Sequence, residues 1–435
     1  MTAQRRANSF ARREFFGAAL GGATLAARAG LAAAGAPQSD AAARAAGIQA
    51  PIRHALDLAN QFVLWQSDCG GLDPVKCPYR TPGRFNAYHL HGFAPMLKAL
   101  YRIYEETGAG EYKAAADRFA VFYMNCIHDP REPYVSKITL DGAERNLLSS
   151  AWMFGKALSP CYELFCRHNP REDAFELKAH AVYRWLQKHR RKEGYFGVGY
   201  PLGDQPDAQF SCDLAEVGNG LIGFFTLSKH EPALTDALGL AEYFLTEHVK
   251  GSGRGVWSSR LGTWLVGPWS GTGAEHFEGQ DFSQVGWGFS SYLVADFLLR
   301  LRPHVADKTT RDELDDKCTK ALGWCYEACQ FDDGAHGMFG RDDKWVGMAA
   351  AAVLLHTALM REKILSPESN AAFAPRLKKT WRWLFEHTGR ETYPPDGYLK
   401  VSGKTSKKPL ENLIWLMAWT AEALIEGSRL LTAEG

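Results

Sequence analysis

Residues 213–230 of the chain, DLAEVGNGLIGFFTLSKH, decide the fold, because their pattern recurs along the sequence. The segment begins with a polar cluster, is then apolar on most sides, and contains glycines that permit close contact between helices. Five further segments of this kind start near Phe85, Asn146, Phe282, Lys344 and Leu410. Successive starts lie 61, 67, 69, 62 and 66 residues apart, and so regular a spacing indicates repeated structural units.

Six amphipathic segments alternate with these apolar ones. Their apolar residues recur at steps of three and four residues, which is the helix period, and each segment keeps a polar stripe on its other side. They span residues 52–65, 111–127, 174–189, 232–248, 311–329 and 373–387. Helices that are apolar on most sides and alternate with one-sided helices predict an inner ring inside an outer ring. We therefore expect an all-α fold, an (α/α)6 toroid of six helical hairpins, in residues 51–435.

The connections between the segments are asymmetric. Inner-to-outer connections are short, such as ETGAGE at residues 106–111. Most outer-to-inner connections are long and rich in glycine, proline and aromatic residues, as in residues 193–212, EGYFGVGYPLGDQPDAQFSC. The long loops should therefore emerge together at the N-terminal ends of the inner helices, where function usually resides. The unpaired N–H groups and positive dipole ends of those helices favour anionic groups there.

This arrangement, with tryptophans concentrated on the loop-bearing rim, resembles the six-hairpin glycosidase superfamily of glycoside hydrolases and related polysaccharide lyases. The resemblance covers about residues 50–430 and is architectural, because the chain carries no complete family signature. It implies the fold and a carbohydrate substrate, an oligosaccharide or polysaccharide, more firmly than it implies a particular reaction. We expect no cofactor and no metal ion.

The first 36 residues have the features of a targeting segment. Arg12 and Arg13 precede Glu14, two phenylalanines and a weakly apolar stretch rich in alanine and glycine. This resembles a twin-arginine signal peptide, followed by a linker over residues 37–50. The resemblance implies that the twin-arginine export machinery is a partner and that the protein works in the periplasm or outside the cell. The alternative is an amphipathic or disordered tail with chance arginines.

Composition excludes several classes of protein. The chain has 435 residues, of which 46% are hydrophobic, as expected for a folded globule. Its 50 basic and 49 acidic side chains give a net charge of +1, which argues against a nucleic-acid-binding protein. No apolar run of about 18 residues follows the N-terminal region, so we expect no stable membrane insertion. Cys69 and Cys77 could pair, and cysteines within helical patterns are predicted to be small buried hydrophobes.

Carboxylates on the loop-bearing rim are the first candidates for chemistry. Hydrolysis of a glycosidic bond uses two carboxyl groups roughly 5–10 Å apart, one of which stays protonated because its pKa is raised. Asp213 and Glu216 lie three residues apart, on one face of a helix. Glu278 and Asp281 on the following loop complete the predicted catalytic carboxylates, and Glu275 is a predicted substrate ligand. Alternatively, Asp213 caps the helix with Glu216 as its capping-box partner, and the loop acids are solvated.

A second group lies at the start of the first apolar segment, where residues 86–91 have the sequence NAYHLH. A lyase acting on a uronate must neutralise the sugar carboxylate, remove the C5 proton and protonate the leaving oxygen. Asparagine, histidine and tyrosine suit these tasks. Tyr88 and His89 are therefore predicted catalytic residues, and Asn86 and His91 are predicted substrate ligands. Either histidine could instead be a hydrogen-bonded core residue.

The same rim carries further residues that suit sugar binding, because sugar rings stack on tryptophan and tyrosine while their hydroxyls bond to polar neighbours. The predicted ligands are Asn146, Trp152, Trp269, Trp287, Arg341, Trp345, Tyr398 and Trp415. Arg341 could hold a carboxylate or sulfate by two parallel hydrogen bonds. Alternatively, the aromatic side chains pack beneath the loops.

Together these features predict an exported glycoside hydrolase that acts on acidic, uronate-containing oligosaccharides or polysaccharides, with Asp213 as the leading acid/base candidate. A polysaccharide lyase that uses Tyr88 and His89 is the first alternative. A sugar epimerase with two histidines among His89, His276 and His336 is another. From a different class, a non-catalytic periplasmic glycan-binding protein would have the aromatic rim without paired carboxylates of shifted pKa.

Overall fold

The computed structural model describes residues 50–66, 87–128, 134–135, 151–197, 210–250, 254–267, 281–341, 344–388 and 413–433. The predicted signal peptide, linker residues 37–49 and both Cys69 and Cys77 lie outside these ranges. Within them, no helix is long and apolar enough to cross a lipid bilayer.

Twelve helices form in these ranges, and they match the twelve predicted segments. The inner helices are α2 (Ala87–Thr107), α4 (the consecutive segments Ala151–Lys156, Ala157–Tyr162 and Glu163–His168), α6 (Ser211–Ser228), α8 (Gly288–Leu301), α10 (Val346–Arg361) and α12 (Leu413–Ala433). The outer helices are α1 (Ala50–Trp65), α3 (Gly110–Asn125), α5 (Asp173–Lys188), α7 (Glu231–Leu245), α9 (Lys308–Trp324, continued by a π-helical turn over Cys325–Cys329) and α11 (Pro367–His387).

Two short antiparallel strand pairs accompany the helices. β1 (Ile127–His128) pairs with β2 (Tyr134–Val135), and β3 (Trp257–Ser258) pairs with β4 (Thr263–Trp264). The residues after β4 hold the start of α6, because the backbone N–H of Ser211 donates to the carbonyl oxygen of Val266 at 2.9 Å. The Ser211 hydroxyl also donates to the carbonyl oxygen of Leu265 at 2.7 Å.

The inner helices form a closed ring. Each packs against the next one in chain order, from α2 to α12, and α12 packs back against α2. The outer helices cover this ring from outside; α1, for example, packs on α12 and α2, and α3 packs on α2. The predicted all-α (α/α)6 toroid is therefore confirmed.

The inner helices start at the same end of the ring. Phe210, which precedes α6, contacts Trp287, which precedes α8, with 5.5 Å between their ring centroids. At the other end, ion pairs join residues late in the inner helices: Arg300 with Glu163, Arg102 with Glu426, and Arg361 with Glu426. The outer-to-inner connections therefore emerge together, as predicted, at what we call the loop-bearing end.

Burial follows the two predicted types of helix. In α10 every residue from Val346 to Leu359 is buried, because this helix lies between its ring neighbours and the outer layer. In α11, an outer helix, the buried residues are Leu377, Thr380, Trp383 and Leu384. The apolar pattern thus reports the layer in which each helix lies.

Two glycines bring α4 and α6 into backbone contact. A Cβ atom on Gly155 would lie 2.4 Å from the carbonyl oxygen of Glu216, and one on Gly220 would lie 2.5 Å from that of Gly155. A larger residue at either position would force the two helices apart. This contact sets how closely the side chain after Gly155 approaches that of Glu216.

Two helix starts differ from the prediction by six residues. α11 starts at Pro367 rather than near Phe373, and α8 starts at Gly288 rather than near Phe282. Residues 281–284 form a turn instead, because the Asp281 carboxylate accepts hydrogen bonds from the backbone N–H and the hydroxyl of Ser283. A side chain that bonds to the nearby backbone in this way competes with helix formation.

Candidate active site

Asp213 and Glu216 lie in the first two turns of α6, at the loop-bearing end of the ring. The residue that precedes the helix is Phe210, which makes no side-chain capping hydrogen bond. The alternative in which Asp213 caps the helix with Glu216 as its partner is therefore wrong. Both side chains are partly buried, and their spacing places them on one face of the helix.

Lys156 of α4 forms an ion pair with Glu216 and acts on Asp213 through its positive charge. Its Nζ lies 3.3 Å from Oε1 of Glu216, and its side chain is only 1% exposed. Nζ also lies 5.7 Å from the ring centroid of Trp152, one turn earlier in α4. A buried ammonium group needs such a counter-charge, because an unpaired charge is costly to desolvate. We call Asp213, Glu216 and Lys156 the carboxylate–lysine group.

Burial raises the pKa of Asp213 to about 7. The positive charge of Lys156 opposes this shift, the negative charge of Glu216 adds to it, and the thiol of Cys212, 3.8 Å from Oδ1, opposes it. Asp213 can therefore carry a proton near neutral pH while Glu216 is held in an ion pair. A carboxyl group that carries a proton near neutral pH suits general acid catalysis.

Asp281 differs from Asp213 in its surroundings. Besides the two hydrogen bonds from Ser283, it accepts one from the Gln284 side chain at 2.7 Å. Burial raises the pKa of Asp281, but the hydrogen bonds from Ser283 and Gln284 outweigh it and lower the pKa below its usual value. Asp281 is thus a turn-forming carboxylate whose lowered pKa does not suit a proton donor, and its place among the catalytic carboxylates stays a prediction.

Two of the predicted sugar-binding tryptophans pack into the core. Trp152 and Trp287 are both buried, and Trp287 meets the ring of Phe289 edge-on at 5.1 Å. Trp345 is half-buried, precedes α10, and donates its backbone N–H to the carbonyl oxygen of His336 at 2.7 Å. For Trp152 and Trp287, the alternative of packing beneath the loops describes the structure better than sugar stacking.

Arg341 also has a structural partner. Its Nε donates to the carbonyl oxygen of Gln330 at 2.7 Å, and its Nη2 donates to that of Glu327 at 3.3 Å. These bonds tie the segment after α9 to its helix and fix one edge of the guanidinium group. The predicted clamp on a carboxylate or sulfate stays a prediction.

The buried histidine at position 336 belongs to the core. Its Nε2 lies 2.9 Å from the hydroxyl oxygen of Thr380 in α11, and its ring meets that of Tyr326. Burial, together with the positive charge of Arg376, lowers the pKa of His336 to about 3. This histidine stays neutral near pH 7 and faces the outer layer, so it does not fit the acid/base pair of an epimerase.

Ten predicted site residues remain, six outside the described residues and four in the first turns of inner helices. Asn86, Asn146, Trp269, Glu275, Glu278 and Tyr398 lie outside the described residues. Tyr88, His89 and His91 belong to the first two turns of α2, and Trp415 belongs to the first turn of α12. These four positions share the loop-bearing end with the carboxylate–lysine group.

An axial cavity of about 310 Å³ lies inside the ring, with Glu216 in its lining. On α6 the cavity residues are Glu216 and Asn219, so the cavity continues from the Asp213 region toward the other end of the ring. Its walls carry charged residues that sequence analysis missed, among them Lys98, Arg300 and Glu422. The sequence feature that could have revealed these cavity residues is the presence of charged residues within the apolar segments, spaced so that they lie on one face of a helix.

Comparisons with known proteins support the fold. No family model matches this chain, and no curated protein matches its sequence. A sugar epimerase from a ruminal bacterium has a similar structure, with a TM-score of 0.61, 11% identity, and coverage of 86% of this chain and 97% of that one. A possible GH105 family member from Salmonella enterica serovar Paratyphi A gives a TM-score of 0.57, 14% identity, and coverage of 89% and 96%.

A third similar structure contains a ligand. It is an inactive variant of an α-1,6-mannanase, GH76A of a Salegentibacter species, in complex with α-1,6-mannotetrose, with a TM-score of 0.56 and 12% identity. The match covers 86% of this chain and 99% of that one. At such identities these similarities establish the toroidal fold that this chain shares with the three proteins, and no more.

Proposed function

We propose that this chain is a carbohydrate-active enzyme, a glycoside hydrolase in which Asp213 is the general acid. The observation that carries the proposal is the position of Asp213. It is a carboxyl group whose pKa burial raises to about 7, one helical turn from an ion-paired Glu216, at the loop-bearing end of a closed toroid. Since similar toroids include a mannanase and a sugar epimerase, the fold alone does not specify the reaction.

In this proposal the protonated Asp213 donates its proton to the oxygen of the leaving sugar. The second carboxylate, as base or nucleophile, must lie roughly 5–10 Å away. Glu216 is the candidate for this role, because residues three apart on a helix share one face, with their Cβ atoms about 5–6 Å apart. Lys156 forms an ion pair with Glu216 and fixes the position of its carboxyl group.

The substrate and location extend the proposal beyond this group. We propose an oligosaccharide or polysaccharide that includes acidic, uronate-containing sugars, cleaved after export of the protein to the periplasm or the cell exterior. The support is the resemblance of residues 1–36 to a twin-arginine signal and the favourable end of the inner-helix dipoles for anionic groups. Fractionation of cells that express the chain with Arg12→Lys and Arg13→Lys tests the export route.

The direct test is hydrolysis of a panel of neutral and acidic oligosaccharides by the purified protein, measured as new reducing ends. We expect turnover on at least one panel member and its loss in Asp213→Asn. Asp312→Asn, on the exposed side of outer helix α9, is the control and should keep wild-type turnover. Full activity in Asp213→Asn would contradict the assignment of the general acid.

A polysaccharide lyase is the second candidate. The observation that favours it is the position of Tyr88 and His89 in the first turn of α2, at the same end of the ring as Asp213. A lyase leaves a 4,5-unsaturated uronate, whose conjugated double bond absorbs ultraviolet light, whereas a hydrolase does not. Reading absorbance and reducing ends on the same samples separates the two reactions.

A further inference from the structure

The axial cavity opens at the end of the ring opposite the long loops. The lining residues at that end, Glu105, Arg167 and Arg361, come late in their inner helices and have exposed side chains. Deeper in the same cavity, Glu163 and Glu422 are buried. The described lining therefore forms a pocket that reaches solvent at this end of the ring.

Lys98 indicates that the cavity is a space rather than a packed core. It lies midway along the inner helix α2, where a ring helix would normally be covered, yet its side chain is 40% exposed. Its Nζ lies 3.5 Å from Oε2 of Glu422 and 3.4 Å from the hydroxyl of Tyr292. The ammonium group thus faces the cavity and has room for a further partner.

Glu422 provides an acceptor inside the cavity. While its Oε2 faces Lys98, its Oε1 is buried and has no hydrogen-bond partner among the residues that the structure describes. Buried polar atoms in proteins are nearly always hydrogen-bonded, so an unsatisfied one in a cavity wall points to a missing ligand or water. A hydroxyl group placed there would satisfy Oε1 and could also bond to Lys98.

The charges of the cavity favour a neutral ligand. Five cationic and six acidic residues appear in its described lining, and many are already paired with each other. Arg300 bonds to Glu163 at 2.6 Å, and Arg102 bonds to Glu426 at 2.5 Å. Because neither sign is left in large excess, a free ion would gain little, whereas hydroxyl groups could both donate to and accept from these pairs.

Size and apolar surface restrict the ligand further. A volume of about 310 Å³ is at the small end of the range for ligand sites, which suits one or two sugar rings. The lining also includes the aliphatic side chains of Leu293 and Leu354, which can contact the C–H face of a pyranose or cyclitol.

We propose that the axial cavity is a second ligand site, which binds a neutral, hydroxyl-rich molecule, a monosaccharide or cyclitol, through Glu422 and Lys98. These two residues are not part of the carboxylate–lysine group, and the proposal does not depend on the reaction proposed for Asp213. The two regions share one residue, Glu216, which lines the cavity and pairs with Lys156.

Titration of the full chain with D-glucose, D-galactose, D-mannose and myo-inositol tests the proposal, by calorimetry and by saturation-transfer NMR. We expect saturable binding of at least one probe. Glu422→Leu keeps the side-chain volume but removes the acceptor, and should weaken binding tenfold or more. Glu422→Gln keeps an acceptor oxygen and should weaken it less than threefold. Lys98→Met provides an independent test if Glu422→Leu fails to fold, and should also weaken binding tenfold or more.

Asp213→Asn separates this proposal from the proposed enzymatic function. It should abolish turnover and leave the dissociation constant of the probe unchanged. If Asp213→Asn weakens binding and Glu422→Leu does not, the probe occupies the catalytic end and the proposal is wrong. Absence of saturable binding to all four probes, or tighter binding of putrescine or inorganic phosphate, would also overturn it. Because binding is measured without turnover, an inactive enzyme does not affect this result.

Discussion

A carboxyl group at the loop-bearing end of the inner ring and another midway along the ring both have a pKa that burial raises to about 7, and the two groups differ in their surroundings. Asp213 lies in the first turn of α6, beside a second carboxylate that pairs with Lys156. Glu422 lies in the interior of α12, beside Lys98 and remote in the chain from any long loop.

A raised pKa reports that a carboxyl group is buried and is not by itself evidence of a catalytic role. Desolvation is the largest cause of the shift at both carboxyl groups, and a nearby lysine opposes it at both. Asp213 differs from Glu422 because it lies at the loop-bearing end, where the inner helices start, and because a second carboxyl group lies one turn away. Function is therefore assigned from location, and the pKa adds the protonation state.

The largest expected effect is on turnover in Asp213→Asn. General acid catalysis contributes roughly 10²–10⁴-fold, so kcat should fall by that factor while the protein stays folded. Glu422→Gln should reduce kcat by less than about tenfold, because it lies outside the catalytic end. Steady-state kinetics on one substrate compare the two variants directly. An equal loss of kcat in both variants would show that Asp213 and Glu422 do not differ in their importance for catalysis.

The next largest effect concerns the contact that builds the catalytic end. Gly155→Ala places a methyl group against the backbone of Glu216, and we expect it to destabilise the fold by about 1–3 kcal/mol and to displace the carboxylate–lysine group. Gly323→Ala, inside α9, meets only ordinary contact with Phe373 and should instead stabilise by about 0.5–1 kcal/mol. Urea unfolding measures both. A neutral Gly155→Ala would mean that α4 and α6 can separate freely.

A smaller effect is expected on the pH dependence of stability. The pKa of Glu422 is higher in the folded state than in the unfolded chain, so the native state binds its proton more tightly. The resulting stabilisation is complete below the unfolded pKa and is lost as the pH rises from about 4.5 through about 7.

Glu422→Gln removes this loss, because the amide does not ionise. Relative to wild type, the variant should gain about 1–3 kcal/mol of unfolding free energy between pH 4 and pH 8. Urea unfolding at both pH values measures the difference, with Glu386→Gln on the exposed side of α11 as the control. A constant difference between variant and wild type across this range would show that the pKa of Glu422 is the same in the folded and unfolded states.

The sequence was sufficient to predict the ring of helices. Inner and outer helices bury different fractions of their surface, and this difference determines whether a segment is apolar on most sides or on one side only. It also predicted that Asp213 and Glu216 lie at the start of an inner helix, since this position follows from the same pattern. It could not identify Lys156, whose role depends on the contact of Gly155 with α6, or the pairing of Arg300 with Glu163, which are 137 residues apart.

Asp281 and Arg341 show what the sequence pattern could not supply. Both residues were predicted to act on a substrate, and both bond to nearby parts of their own chain. A sequence pattern gives the chemistry that a side chain can perform, but not which partner reaches it first. Short-range partners such as Ser283 and long-range ones such as Lys156 become visible only with the coordinates.

The finest test of the comparison concerns the pH profile of the catalytic end. Lys156 lowers the pKa of Asp213 by its positive charge, so Lys156→Met should raise that pKa. A general acid works in its protonated form, and the rate of the wild type should therefore fall as the pH rises through about 7. In Lys156→Met this decline should move to higher pH, although the unpaired Glu216 should lower kcat by about tenfold.

The measurement is kcat/KM against pH. The matched control is Lys178→Met, because Lys178 is a partly buried lysine of outer helix α5 that donates to the carbonyl oxygen of Met124. A decline that stays in place or moves to lower pH would mean that Asp213 is not the group that titrates, and the proton donor would then have to be sought elsewhere at the loop-bearing end.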